Sequence, residues 1–203
     1  NKVFPKIEEE HPNVSLGFLG EQQDQRDSVE DIMRGFSIAL LVMYILMAIP
    51  LKSYLQPMIV MAVIPFGLVG AVGGHILMST DLSIMSMCGI VALAGVVVND
   101  SLVLVDYVNR QLAQGHSVIE AAWEAGAARF RPILLTSLTT FAGLTPMLLE
   151  TDLQAKFLIP MAISLSFGIL FATGITLILV PCIYLILEDT KRWLVRGLSK
   201  SNY

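Results

Sequence analysis

Asn99, Asp100 and Ser101 interrupt a mainly apolar run from Leu82 to about Val108. An ionisable group at membrane depth costs roughly 2.5–3.5 kcal/mol on insertion scales, which makes a carboxylate there a candidate for handling protons or ions. Counted from Leu82 at about 1.5 Å per residue, Asp100 lies about 27 Å along a helix. That depth suits a carboxylate facing a water-filled cleft, or one lining an ion path. Asp106 reads differently, because Arg110 follows it at the spacing of a helix-end ion pair. A second polar block runs Arg129-Phe-Arg-Pro-Ile-Leu-Leu-Thr136 and continues into Ser137, Thr139, Thr140 and Thr145. Thr136 follows Arg129 by two helical turns and shares a face with Thr140. Such hydroxyls bond a neighbouring helix, hold water, or turn back to the preceding carbonyl.

The rest of the chain must place these groups in a bilayer. Of its 203 residues, 55% are hydrophobic and 15% charged, against roughly 45–50% and about 25% in soluble domains. Mean hydropathy is +0.69. The net charge of -4 supplies no bulk positive field for nucleic acid. No G-x-S-x-G elbow, H-E-x-x-H pair or Walker loop occurs, and there are three histidines. Nothing in the pattern points to nucleophilic, metal or nucleotide chemistry, so no enzyme activity, cofactor or metal is expected. Cys88 and Cys182 sit inside apolar runs and read as small core hydrophobes.

Five apolar stretches have the length a spanning helix needs, roughly 20 residues. They predict an all-α membrane protein with helices near residues 30–52, 57–78, 82–112, 132–150 and 157–187. A polar helical lead-in from Gln22 to Arg34 continues into the first span. Residues 14–19 alternate weakly and predict a strand-like N-terminal stub. Ser117 with Glu120 forms an S-x-x-E capping box. With Val118, Ala121, Ala122 and Ala125 it predicts a short amphipathic helix on the cytoplasmic surface near 117–128. Pro132 then opens the fourth span, where a missing N–H costs nothing. Pro65, Pro146, Pro160 and Pro181 are candidates to kink their helices, and the fifth span is long enough to tilt or to hold a break near Pro181. The domain order is the stub over 1–21, the helix bundle over 22–187 and a tail over 188–203.

Lys and Arg in the short loops set the orientation. With the N-terminus outside, the inner segments hold Lys52, Arg110, Arg129, Arg131, Lys191, Arg192, Arg196 and Lys200, and the short outer loops only Lys156. The C-terminus is therefore expected in the cytoplasm. Small residues in the second span (Gly67, Gly70, Ala71, Gly73, Gly74), the third (Gly89, Ala92, Ala94, Gly95) and the fifth (Gly168, Ala172, Gly174) predict close helix approach, either as fixed packing or as sliding surfaces. His75 reads as an interfacial hydrogen-bonder.

The stretch from Gly89 to Asp106, followed by Arg129-Phe-Arg-Pro-Ile-Leu-Leu-Thr-Ser137, resembles the tenth and eleventh helices of resistance-nodulation-division (RND) efflux pumps of the AcrB type. The Leu-Lys-Ser-Tyr-Leu-Gln-Pro57 loop and the Gly-rich second span resemble the family's helices eight and nine. The resemblance covers nearly the whole chain. It implies the C-terminal membrane half, helices eight to twelve, of a proton-driven exporter of small amphiphilic compounds. It makes the stub the end of a periplasmic porter domain. It further implies a bacterial inner membrane, the N-terminal half of the same transporter as partner, a homotrimer and a periplasmic adaptor. In the family two adjacent Asp residues on helix four, a Lys on helix ten, and an Arg and a Thr on helix eleven form a proton relay. Position by position, Arg129 and Thr136 stand at the last two, while Asn99 stands where the family has Lys and Asp100 follows it. Asn can only hydrogen-bond, so Asp100 enters as a relay candidate. The alternative is a membrane scaffold or protein-export helper of the SecD/SecF kind. On either reading the fragment alone is expected to be inactive.

Overall fold

The structure, a computed structural model, describes residues 21–200 except residue 153. The expected strand at 14–19 lies outside the described residues. Six α-helices and one short 3-10 turn follow in order. They are α1 (Glu21–Leu51), α2 (Gln56–Met61), α3 (Ile64–Leu77), α4 (Ile84–Ala113), α5 (Val118–Leu148) and α6 (Ile159–Lys200), with the 3-10 turn at Ala155–Phe157. Among the described residues there is no strand.

Among the described residues four stretches are long and apolar enough to cross a membrane: Gln23–Leu51, Gln56–Leu77, Ile84–Ala113 and Ile159–Glu188. The expected fourth span, within α5, is not among them. After Arg131 it carries Thr136, Ser137, Thr139, Thr140 and Thr145 with Pro132 and Pro146, which lower its hydropathy below that of the others.

The separate cytoplasmic helix at 117–128 is not observed. α5 runs unbroken from Val118 to Leu148 through Pro132. The reason is a stripe that the proline does not interrupt. Ala121, Ala125, Ile133 and Ser137 are all buried, and with the half-buried Arg129 they recur every four residues along one face. The predicted capping box does form. Ser117 Oγ accepts from the Glu120 backbone N–H, and the Glu120 carboxylate accepts from the Ser117 N–H at 3.1 Å.

Two proline expectations also change. Pro65 does not kink a helix interior. The second span is divided at Ala62 and Val63, and Pro65 falls in the first turn of α3, where its absent N–H has no intrahelical role. Pro181 lies inside α6 without ending it. At the chain reversals the last turns close through left-handed residues: Lys52 (φ 48°), Ser79 (φ 49°) and Gly115 (φ 94°). Gly115 meets that requirement without a Cβ penalty.

α6 packs against α3, α4 and α5. Leu93 of α4 is the centre of this packing. It is 2% exposed and fits a notch in which a Cβ added at Gly67 or Gly168 would meet its side chain at 3.3 and 2.3 Å. Gly70 and Gly74 of α3 meet Phe171 and Phe167 of α6 just as closely, and Gly89 meets the backbone of Met161. The close approach expected of the small residues is therefore present at these positions. At Gly73, Gly95 and Gly174 the space is open. Cys182 is exposed rather than in the core, and Cys88 is half-buried. α1 stands apart: it packs mainly on α4 and α2, through Met47 and Leu51 near its C-terminal end, and exposes Ile38, Leu41, Ile45 and Ile49.

Candidate functional site

The polar residues of the apolar run fall on different faces of α4. Asn99 is exposed and Asp100 half-buried. Ser101 is fully buried, and its hydroxyl donates to the Val97 carbonyl at 2.9 Å, within its own helix. Asp106 pairs with Arg110 at 2.8 Å, as its spacing predicted.

Arg129 reaches α4 by a different contact. Its guanidinium carbon lies 5.3 Å from the centroid of the Tyr107 ring, within cation–π range. The Tyr107 hydroxyl in turn accepts from Gln111 Nε2 at 3.1 Å. Tyr107 follows Asp100 by seven residues, and Thr136 follows Arg129 by seven. α4 and α5 are consecutive helices joined by a short turn and run antiparallel. Two turns from this contact α4 carries Asp100 and α5 carries Thr136, each on its own helix.

The four relay candidates do not form a bonded network with one another. Among the described residues no hydrogen bond or ion pair links Asn99, Asp100, Arg129 and Thr136. Thr136 is exposed and donates to the Pro132 carbonyl at 2.9 Å. Thr139, Thr140 and Thr145 turn back in the same way. Only Ser137 also reaches another helix, meeting Thr173 Oγ1 of α6 at 2.5 Å.

Two buried polar clusters join helices through partners that the sequence did not pair, the second around His75, which was expected only as an interfacial hydrogen-bonder. Gln56 and Asn109 exchange amide hydrogen bonds at 2.9 Å in both directions, and the Tyr184 hydroxyl donates to Asn109 Oδ1 at 2.8 Å. This ties α2, α4 and α6 at the end of the bundle where Arg110 lies. At the other end His75, 3% exposed, bonds Ser164 at 3.0 Å and the Thr80 carbonyl at 3.1 Å. His75 is thus a hydrogen-bonder, buried between α3 and α6. Sequence spacing joins neither cluster, since the partners lie on different helices. Tyr107 alone had a signal, its i+7 relation to Asp100.

A sequence model of the AcrB/AcrD/AcrF family matches residues 3–188. The chain belongs to that family. This AcrB/AcrD/AcrF-family chain is 31% identical over 185 residues to the swarming motility protein SwrC of Bacillus subtilis (strain 168). The match covers 90% of this chain and 18% of SwrC. Among solved structures it is similar to the X-ray crystal structure of a heavy metal efflux pump, at 25% identity and a TM-score of 0.73. That match covers 83% of this chain and 17% of the pump. The AcrB/AcrD/AcrF-family chain therefore spans under a fifth of the length of these relatives. It is a transmembrane segment of an RND-type transporter.

Proposed function

We propose that the chain is the C-terminal membrane half, helices eight to twelve, of a proton-driven exporter of small amphiphilic compounds. In this reading α5 is a fifth span, reaching the cytoplasmic surface through its first turns. The N-terminus faces the periplasm and the C-terminus the cytoplasm of a bacterial inner membrane, with Lys and Arg gathered on the inner side. The N-terminal half of the same transporter packs on the open side of the α4–α5 seam. The complete pump is a homotrimer that works with a periplasmic adaptor.

The observation that carries this reading is the seam itself. It sets Arg129 over the Tyr107 ring, and the half-buried Asp100 and the exposed Thr136 each lie two turns from that contact on their own helices. In this reading Arg129 and Thr136 take the cationic and hydroxyl positions of the relay that the resemblance implies. Asn99 replaces the relay lysine, so Asp100 supplies the ionisable group on α4. A carboxylate that binds a proton on one side and releases it on the other couples proton flow to a helix movement.

The test uses the full-length transporter. Asp100→Asn is expected to lower drug resistance in cells at unchanged membrane protein level, and Thr136→Ala to do so more weakly. Asp106→Asn is expected to leave export near wild type, because Asp106 is already held by Arg110 at 2.8 Å. Normal export by Asp100→Asn together with loss in Asp106→Asn would assign the carboxylate to the wrong turn and end this reading.

A further inference from the structure

Among the described residues Arg129 has no counter-ion. The ion pairs among the described residues are Arg34–Glu30 and Arg110–Asp106, and Arg129 is in neither. Its Nε is buried and has no hydrogen-bond partner, and the same is true of Gln111 Oε1. Both residues touch Tyr107. The ring lies 5.3 Å from the Arg129 guanidinium carbon, and the hydroxyl is bonded to Gln111 Nε2 at 3.1 Å. Among the described side chains, the other charged or titratable groups of the packed elements on this side are Asp100, Asp106 and Arg110 on α4, His116 in the turn, Glu120, Glu124 and Arg131 on α5, and Tyr184 beside Glu188 on α6. Asp106, next to Tyr107 in sequence, is bound to Arg110.

An aromatic face and a carboxylate hold a guanidinium with different consequences. The carboxylate cancels its charge. The ring attracts it through the quadrupole and leaves the net charge intact. Arginine stays protonated at any accessible pH, so a charge held this way is permanent.

We infer that Tyr107, tethered through its hydroxyl by Gln111, is a positioning residue that holds Arg129 with its charge uncompensated, ready for a carboxylate outside the described residues. This rests on the reading of Arg129 as a relay member. Tyr107 itself exchanges no proton. Its part is to fix where the cation stands, and so the pH at which the facing carboxylate loads.

The experiment follows carboxyl protonation by infrared absorbance against pH in the full-length transporter in lipid, which requires no knowledge of the cargo. Removing a cation beside a carboxylate favours the protonated form, so Arg129→Ala is expected to raise the half-protonation pH by about one unit. Tyr107→Leu is expected to raise it by more than half as much, and Tyr107→Phe, which keeps the aromatic face but loses the bond from Gln111, by a smaller amount. Tyr107→Leu combined with Arg129→Ala should add nothing to Arg129→Ala alone. If Tyr107→Leu fails to accumulate in the membrane, Tyr107→Met keeps the bulk without the ring and takes its place. A shift in Arg129→Ala with none in the Tyr107 variants means that the ring only packs, and overturns the inference. No shift in Arg129→Ala overturns the relay reading itself and leaves Arg129 to lipid headgroup phosphates.

Discussion

Gln56 and Asn109 form a closed amide pair, each donating to the other at 2.9 Å across the contact between α2 and α4. Gln56 is 8% exposed. The pair uses both the donor and the acceptor of each amide, and Tyr184 adds a hydrogen bond at 2.8 Å. A buried donor or acceptor left without its partner costs about 1–3 kcal/mol, whereas apolar replacement of both members is close to neutral. Asn109→Leu in the full-length transporter is therefore expected to lower the melting temperature. Gln56→Leu with Asn109→Leu should recover part of that loss. A double variant that melts below the single one would show that the pair is not the unit that matters.

Glycines of α3 should divide by what faces them. A Cβ at Gly70 would meet Phe171 Cβ at 2.4 Å and the Phe167 carbonyl oxygen at 2.9 Å, and one at Gly74 would meet Phe167 Cβ at 2.5 Å. Backbone and Cβ atoms cannot swing away, so Gly70→Ala and Gly74→Ala are each expected to cost about 1–3 kcal/mol through overpacking. Gly73 has open space, and Gly73→Ala should stabilise α3 by up to about 1 kcal/mol through helix propensity. Thermal melting of the three variants decides the matter. Equal losses at all three positions would mean that propensity and packing have been misjudged.

The capping box at the start of α5 is expected to respond to acid. Hydrogen bonds from the Ser117 hydroxyl and backbone N–H hold the Glu120 carboxylate below its ordinary value of 4.5. A carboxyl group whose folded value is depressed stabilises the fold above its unfolded value, and that contribution is lost as pH falls through the folded value. The first turn of α5 should thus be intact near neutral pH and fray below about pH 4.5. Amide hydrogen exchange over 117–121 reads this directly. Glu120→Ala should show the frayed behaviour already at neutral pH, and protection equal to wild type in that variant would contradict the assignment.

Topology is checked by cysteine labelling in a full-length background with Cys88 and Cys182 replaced by serine. Ser79→Cys and Gln154→Cys are expected to react with an impermeant reagent from outside, and Gln114→Cys only after the cells are opened. Labelling of Gln114→Cys in intact cells would reverse the proposed orientation.

The sequence by itself determined the membrane character, the helical class and the places where most helices begin. Spans of 20 or more apolar residues leave the backbone no partners but its own, so a helix is forced wherever they occur. Local signals were equally legible. The Ser117–Glu120 box and the Asp106–Arg110 pair each involve residues within one helical turn, and the residues of that turn are neighbours whatever the rest of the chain does. Tertiary structure decided the rest. Pro132 looked like the boundary between two helices, yet the buried stripe through Ala121, Ala125, Ile133 and Ser137 keeps α5 continuous. Arg129 was singled out without a partner on α4, and only the packing of α5 on α4 set its guanidinium over the Tyr107 ring. The amide pair of Gln56 and Asn109 and the bond between His75 and Ser164 join residues 53 and 89 positions apart. Such contacts depend on how helices rotate and slide against one another. Apolar periodicity does not encode that, because lipid wets every apolar face alike and only close packing and buried polar bonds choose among rotations.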